Sequence, residues 1–148
     1  MKSFALLLLL PFLFNTDQNW GTNFAEAKKT ATEKHQLILL NFSGSDWCGP
    51  CIRLHKEFFG NDEFKKFADS SMVLVNADFP RLKKNSLPAA LTKQNESLAD
   101  QYNPKGKFPF TLVLNGKGEV IKTYDGVPDL SVFEFINQLK KLSDDYGK

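Results

Sequence analysis

Charge of one sign, cysteine and long apolar runs are all scarce in this chain of 148 residues. Its 19 basic side chains are nearly balanced by 17 acidic ones, and both signs are mixed along the sequence. The basic patch that marks nucleic-acid-binding proteins is therefore missing. Low counts of glycine (9) and proline (7) beside 14 phenylalanines exclude a mostly disordered chain. The length suits one globular domain, and we expect a monomer that does not bind nucleic acid.

The longest apolar run is also short. It covers residues 4–14 and follows a start that carries one positive charge, at Lys2. A helix that crosses a membrane needs about 20 apolar residues, so this run has the anatomy of a signal peptide instead. We interpret residues 1–18 as a signal peptide with an uncertain cleavage site and residues 19–148 as the folded domain. The protein would then be exported to the periplasm or beyond, and an uncleaved signal would leave a membrane-anchored form.

The only cysteines are Cys48 and Cys51. Thiols oxidise outside the cytosol, but a bridge between residues three apart closes almost no loop and adds little stability. The pair therefore favours redox cycling over a structural disulfide. With His55 it forms a C-x-x-C-x-x-x-H run, but structural zinc needs four ligands and the only other histidine, His35, belongs to another element. Cu(I), a soft ion, is the metal that stays open as an alternative. We expect no cofactor besides the Cys48/Cys51 pair.

Apolar patterning predicts an α/β fold. Strands are predicted where apolar runs are short and bounded by turn residues: 37–42, 72–77, 110–114 and 120–124. Helices are predicted where apolar residues recur every three or four positions: 23–34, 48–59, 61–68, about 87–102, and 132–142. A basic, mobile loop at 81–85 is expected before the fourth helix. We expect a βαβ unit and a C-terminal antiparallel hairpin in one mixed central sheet flanked by helices.

The two cysteines differ in their expected positions on the second helix. Cys48 falls at its N-terminus, where unpaired amides and the helix dipole favour a thiolate. Cys51 lies one turn further, on an apolar arc that it shares with Ile52, Leu54, His55, Phe58 and Phe59. We therefore predict Cys48 as the nucleophile that attacks a substrate disulfide and Cys51 as the resolving thiol. His55 is interpreted as a packing residue on this arc.

The stretch Trp47-Cys48-Gly49-Pro50-Cys51 resembles the thioredoxin active site residue for residue, and the order of elements is similar. Thioredoxin-like folds carry a cis-proline at the start of the hairpin strand, and Phe108-Pro109 stands in the matching place. The resemblance implies a thiol-disulfide oxidoreductase that acts on exported proteins. The Gly-Pro dipeptide resembles reducing members, which implies a reductase supplied by a membrane-borne electron donor. It further implies a substrate-docking surface formed by Trp47, Gly49, Pro50, Phe108 and Pro109.

The sequence also departs from that pattern. Thioredoxin buries an aspartate beneath its cysteines and pairs it with a lysine of the next strand, whereas the aligned places here hold Asn41 and Leu74. We expect the same chemistry with different tuning, because the carboxylate that assists the resolving step is missing. Asp46 lies nearby in an exposed turn, where its charge would slightly oppose thiolate formation.

Two alternatives remain open. The chain could be a non-catalytic module that binds Cu(I) or uses the fold only for protein contacts. The cations at 81–85, Arg81, Lys83 and Lys84, are most simply solvated, and attraction of an acidic partner is the sharper alternative.

Overall fold

A computed structural model of the chain describes residues 20–147, which form a four-stranded mixed sheet between two layers of helices. The predicted signal peptide, residues 1–18, lies outside the described residues. Within residues 20–147 no helix combines the length and apolar character needed to cross a membrane.

The strands are β1 (Leu37–Ser43), β2 (Met72–Asp78), β3 (Phe110–Leu114) and β4 (Val120–Asp125), in the sheet order β2-β1-β3-β4. β1 pairs with β2 in parallel and with β3 antiparallel, and β3 pairs antiparallel with β4. The helices are α1 (Phe24–Lys34), α2 (Gly49–Leu54), α3 (Asp62–Ser71), α4 (Ala89–Tyr102) and α5 (Val132–Tyr146). The expected α/β architecture, a βαβ unit plus a C-terminal hairpin, is confirmed.

The two faces of the sheet carry separate apolar cores. Alternate residues of a strand point to opposite faces, so Ile38 and Leu40 pack with α1 and α4 while Leu37 and Leu39 pack with α2, α3 and α5. The second core is rich in phenylalanine, and Phe59, Phe64 and Phe135 within it are almost fully buried: 1%, 0% and 1% exposed. This packing fixes α2, which carries the cysteines, on the odd-numbered face of β1.

The helix predicted over residues 48–59 changes type halfway. After α2 the chain continues as a π-helical segment, His55–Phe59, which ends where the Gly60 amide donates to the His55 carbonyl at 2.7 Å. Ile52 does not join the buried arc as predicted, because it lies at the border of that arc and is 51% exposed. Single π-helical turns inside helices occur frequently at functional sites, and this one begins at the histidine that follows Cys51 by one turn.

The basic loop at 81–85 is another correction. It contains a 3₁₀ turn, Lys83–Asn85, and its backbone is hydrogen-bonded to the Asp46 carboxylate at 2.9 Å from both the Arg81 and the Leu82 amides. The loop that was expected to be mobile is instead held beside the cysteine motif by Asp46. The tether was invisible in the sequence because it joins residues about 35 positions apart.

Candidate active site

The two cysteines form a disulfide with a Cα–Cα distance of 5.2 Å. Cys48 is the N-cap residue of α2, and its Sγ accepts a hydrogen bond from the Cys51 amide at 3.3 Å. A backbone donor directed at a sulfur at a helix N-terminus favours the thiolate form of that sulfur. Cys48 is 4% exposed and Cys51 is fully buried. Cys51 is therefore the more deeply buried of the two cysteines, and Cys48 is the one whose sulfur accepts a backbone hydrogen bond.

Aromatic residues lie beside this disulfide. The Phe108–Pro109 peptide bond is cis, as the resemblance implied, and Pro109 is buried. The Phe108 ring meets the Trp47 ring edge-on, with 5.4 Å between centroids. Gly49 and Pro50 are exposed on the helix start. The Trp47–Phe108 contact thus brings the segment with the cis bond next to the residue that precedes Cys48.

Besides its contact with Phe108, Trp47 has a hydrogen bond and a cation that hold it in place. Its Nε1–H donates to the Phe79 carbonyl at 2.7 Å, and the Arg81 guanidinium lies 3.7 Å from its ring centroid. A cation this close to an indole face is attracted by the ring quadrupole. Hydrogen bonds from the Arg81 amide, the Asn85 side chain and the Leu82 amide lower the pKa of Asp46. Asp46, which was expected only to oppose thiolate formation slightly, therefore anchors the loop that carries Arg81.

A row of polar side chains crosses the sheet on the face that carries α2. Asn41 is level with Asn76 on β2 and with Thr111 on β3, and all three point to the same face. The Asn41 amide donates to Asn76 Oδ1 at 3.1 Å, while its Oδ1 accepts from the Thr111 hydroxyl at 3.0 Å. Leu74 precedes Asn76 by two residues on β2 and pairs with Leu39 of β1. The strand neighbour of Asn41 is therefore Asn76, and the aligned Leu74 takes no part in the row.

His55 completes this network from above the sheet. Its Nε2 lies 3.2 Å from Asn41 Nδ2, and because an amide nitrogen only donates, Nε2 accepts and the neutral ring carries its proton on Nδ1. The ring packs against Trp20 and Phe59, with centroids 5.6 and 5.1 Å away. Burial lowers the pKa of His55, and the Asp78 carboxylate partly opposes this shift. The histidine interpreted as a packing residue also bonds to the residue that replaces the thioredoxin aspartate.

A cleft of about 410 Å³ reaches this network between β1, β2 and α2. Its walls include His55, Asn76, Ile52 and the side chain of Ser43, whose buried hydroxyl has no hydrogen-bond partner within residues 20–147. A cavity of this size with several polar groups can hold water. The polar row was missed at the sequence level, although each strand showed a signal: one polar residue inside an apolar run.

Metal binding finds no ready site in the part of the chain that the structure describes. No group of three or more His, Cys, Asp and Glu side chains there is arranged to hold an ion. Both sulfurs of the C-x-x-C-x-x-x-H run are bonded to each other, and His55 Nε2 is occupied by Asn41.

Comparisons with known proteins agree with the geometry. The chain is 35% identical over 97 residues to the disulfide bond reductase DsbH of Chlamydia pneumoniae. The matched segment covers 66% of this chain and 57% of DsbH. It is 31% identical over 83 residues to the thioredoxin-related protein DsbJ of the same organism, covering 56% of this chain and 23% of DsbJ. The chain thus spans just over half of DsbH and about a quarter of DsbJ.

A solved structure of a DsbH oxidoreductase superposes with a TM-score of 0.77 at 27% identity, covering 96% of this chain and 95% of that one. A family model described as thioredoxin-like matches residues 19–116, which include the cysteine motif and the cis-proline. With the mixed sheet, the N-capping Cys48 and the cis Phe108–Pro109 bond in place, the chain belongs to the thioredoxin-like family.

Proposed function

We propose that the protein is a thiol-disulfide oxidoreductase that reduces disulfides in exported proteins. The observation that carries this proposal is the disulfide at the start of α2, with Cys48 as N-cap and Cys51 buried behind it. The DsbH relative, named a disulfide bond reductase, supports the same activity and direction.

In the proposed cycle the reduced enzyme begins with a Cys48 thiolate. It attacks one sulfur of a substrate disulfide, a Cys48–substrate disulfide forms, and the other substrate sulfur leaves as a thiolate that takes up a proton. Cys51 then loses its proton and attacks Cys48 Sγ, which releases the second substrate thiol and forms the Cys48–Cys51 disulfide. Two electrons have passed to the substrate. A thiol-based electron donor, which we propose is membrane-borne, returns them.

The surface around the disulfide would bind the substrate chain. The Phe108 and Trp47 rings, which are in contact, would offer apolar area. The exposed Gly49 and Pro50 would let a polypeptide approach Cys48, and Pro109 would help to dock the substrate backbone. We also propose that residues 1–18 direct export, so that a monomeric domain of residues 19–148 works in the periplasm or outside the cell.

Trapping with a cysteine variant tests the roles of the two thiols. Cys51→Ser should accumulate mixed disulfides through Cys48, because the first attack proceeds and resolution does not. The matched Cys48→Ser variant, which keeps one thiol, should trap nothing and reduce nothing. If Cys51→Ser traps no partner while Cys48→Ser keeps full disulfide-reductase activity, the proposed mechanism is wrong.

The direction has its own test. A reductase should have a reduction potential near the value of about −270 mV of thioredoxin, and an oxidase one near the value of about −120 mV of strong disulfide formers. Equilibration of the full chain with glutathione buffers measures it. A potential at the oxidising end would overturn the reductase direction and leave the dithiol mechanism standing.

A further inference from the structure

Hydrogen bonds with Asp46 and Trp47, the two residues before Cys48, hold the loop between β2 and α4 beside the cysteine motif. Asp46 accepts hydrogen bonds from the Arg81 and Leu82 amides and from Asn85 Nδ2, each at 2.9 Å. At the start of the loop, the Phe79 carbonyl accepts from Trp47 Nε1 at 2.7 Å. The loop is therefore fixed next to Trp47, which directly precedes Cys48.

This arrangement places a cation at the edge of the docking surface. The Arg81 guanidinium lies 3.7 Å from the centroid of the Trp47 ring, which restricts a long side chain before any substrate arrives. Arg81 is exposed, and none of the ion pairs formed within residues 20–147 includes it. Its planar set of N–H donors matches a carboxylate. A guanidinium held against Trp47, the residue before Cys48, is thus available to a ligand.

Two further cations extend the positive charge along the loop. Lys83 and Lys84 are exposed on the 3₁₀ turn, and they too are absent from the ion pairs of the described residues. The nearby acidic groups are engaged elsewhere. Asp46 holds the loop backbone, and Asp78 accepts from the Ser45 amide and hydroxyl at 2.9 and 2.5 Å. All three cations are therefore exposed and have no ion pair within residues 20–147, and Arg81 among them lies beside Trp47.

We propose that Arg81, Lys83 and Lys84 form a cationic rim that binds carboxylates of the substrate, so that the enzyme prefers disulfides flanked by acidic residues. This inference rests on the proposed function, because it names the substrate class of the same disulfide site. Arg81, which lies against Trp47, contributes most through a bidentate contact with a carboxylate that flanks the substrate disulfide. The lysines act over a longer range and raise the rate of encounter.

Three synthetic cystine peptides test the preference with the reduced full chain. They share one sequence and differ only in the two flanking positions, which are glutamate, glutamine or lysine. At low ionic strength kcat/KM should fall in that order, with about a two- to fivefold advantage of glutamate over glutamine, the range that exposed ion pairs give. The advantage should decrease at about 0.5 M salt, where charges more than a few ångströms apart are screened.

Charge reversal identifies the residue responsible. Arg81→Glu should invert the order so that the lysine peptide is reduced fastest, and Arg81→Gln should remove most of the preference. The matched control is Lys122→Glu, because Lys122 is an exposed cation over an aromatic ring, Tyr124, on β4. It changes the total charge equally and should leave the peptide ratios as in the wild type. Thermal unfolding of each variant verifies that it is folded, and ratios between peptides cancel any general loss of rate.

Three results would overturn the inference: equal rates for the glutamate and glutamine peptides, a wild-type preference that survives in both Arg81 variants, or equal shifts in Arg81→Glu and Lys122→Glu. Equal rates on all three peptides would leave the proposed function intact. Reduction of none of them, together with no trapping by Cys51→Ser, would instead reject the proposed function itself.

Discussion

Replacing Asn41 with aspartate places an ionisable group at a position that is 0% exposed. Burial disfavours a carboxylate and raises its pKa by up to about 3–5 units when nothing compensates. Here the Thr111 hydroxyl donates to the Asn41 oxygen at 3.0 Å and would still stabilise the charge. Allowing for that donor, we expect a rise of about 2 units, which corresponds to about 2.7 kcal/mol of unfolding free energy.

The sign of the pH dependence follows from where the proton is held. In the unfolded chain the new carboxyl releases its proton near pH 3.9, about the reference value for aspartate, whereas the folded protein retains the proton to higher pH. The variant should therefore be close to wild-type stability in acid and lose stability as the pH rises through the folded pKa. Transfer of the retained proton to His55, which bonds to the same site, keeps the sign unchanged.

Denaturant unfolding of the oxidised proteins at about pH 4 and about pH 8 measures this difference. Asn23→Asp is the matched control, because Asn23 is the exposed N-cap of α1 and accepts from the Glu26 amide at 3.1 Å. A carboxylate at a helix N-terminus is stabilised, so the control should gain stability over the same pH range. An Asn41→Asp variant whose loss of stability is equal at both pH values would refute the view that this site is desolvated.

The same substitution tests whether the polar row affects the resolving step. Reaction of the reduced protein with a chromogenic aryl disulfide releases one thiol when Cys48 attacks and a second when Cys51 resolves the mixed disulfide. Asn41→Asp should change the pH dependence of the second release and leave the first as in the wild type. Identical profiles for both releases would mean that Asn41 has no influence on Cys51.

Two further substitutions probe the surroundings of the disulfide. A Cβ added at Gly44 would lie 2.4–2.6 Å from atoms of the Trp47 ring, so Gly44→Ala should displace that ring, lower the unfolding free energy by about 1–3 kcal/mol and change the tryptophan fluorescence. The control is Gly49→Ala, which should unfold like the wild type because nothing lies within 4 Å of the added Cβ. Equal stability of both variants would contradict the reasoning. Because burial lowers the pKa of His55, the unfolded chain binds the proton more tightly, so wild-type stability should fall as the pH drops through about 6.5 toward the folded pKa. His55→Gln should flatten that part of the unfolding free energy curve, and an unchanged curve would show that another group causes the acid sensitivity.

Local patterns were sufficient for the fold and for the disulfide. The run 37–42 is apolar on both faces, which marks a central strand, and the structure places β1 between two other strands. Cys48 and Cys51 needed only their spacing and the helix that follows. These features depend on residues a few positions apart, where helical and strand periodicity carry the information.

The polar row depends on strand register, which no local pattern specifies. Asn41, Asn76 and Thr111 are each one polar residue in an apolar strand, and they meet only because β1 pairs with β2 and β3 in that register. Alignment with thioredoxin pointed to Leu74 instead, two residues from the true neighbour. Asp46 was likewise interpreted from its turn alone, while its hydrogen-bond partners lie about 35 residues further along the chain.

The polar row and His55 together contain one group that can titrate. Amides and a hydroxyl stay neutral over the whole pH range in which proteins fold, so His55 is the only ionisable member of the network formed with Asn41, Asn76 and Thr111. Two effects keep it neutral near pH 7: burial lowers its pKa, and a second ring proton would face the Asn41 amide hydrogen across 3.2 Å. The network of His55, Asn41, Asn76 and Thr111 is then uncharged at neutral pH. The hydrogen bond that favours the attacking thiolate comes instead from the Cys51 amide at the start of α2.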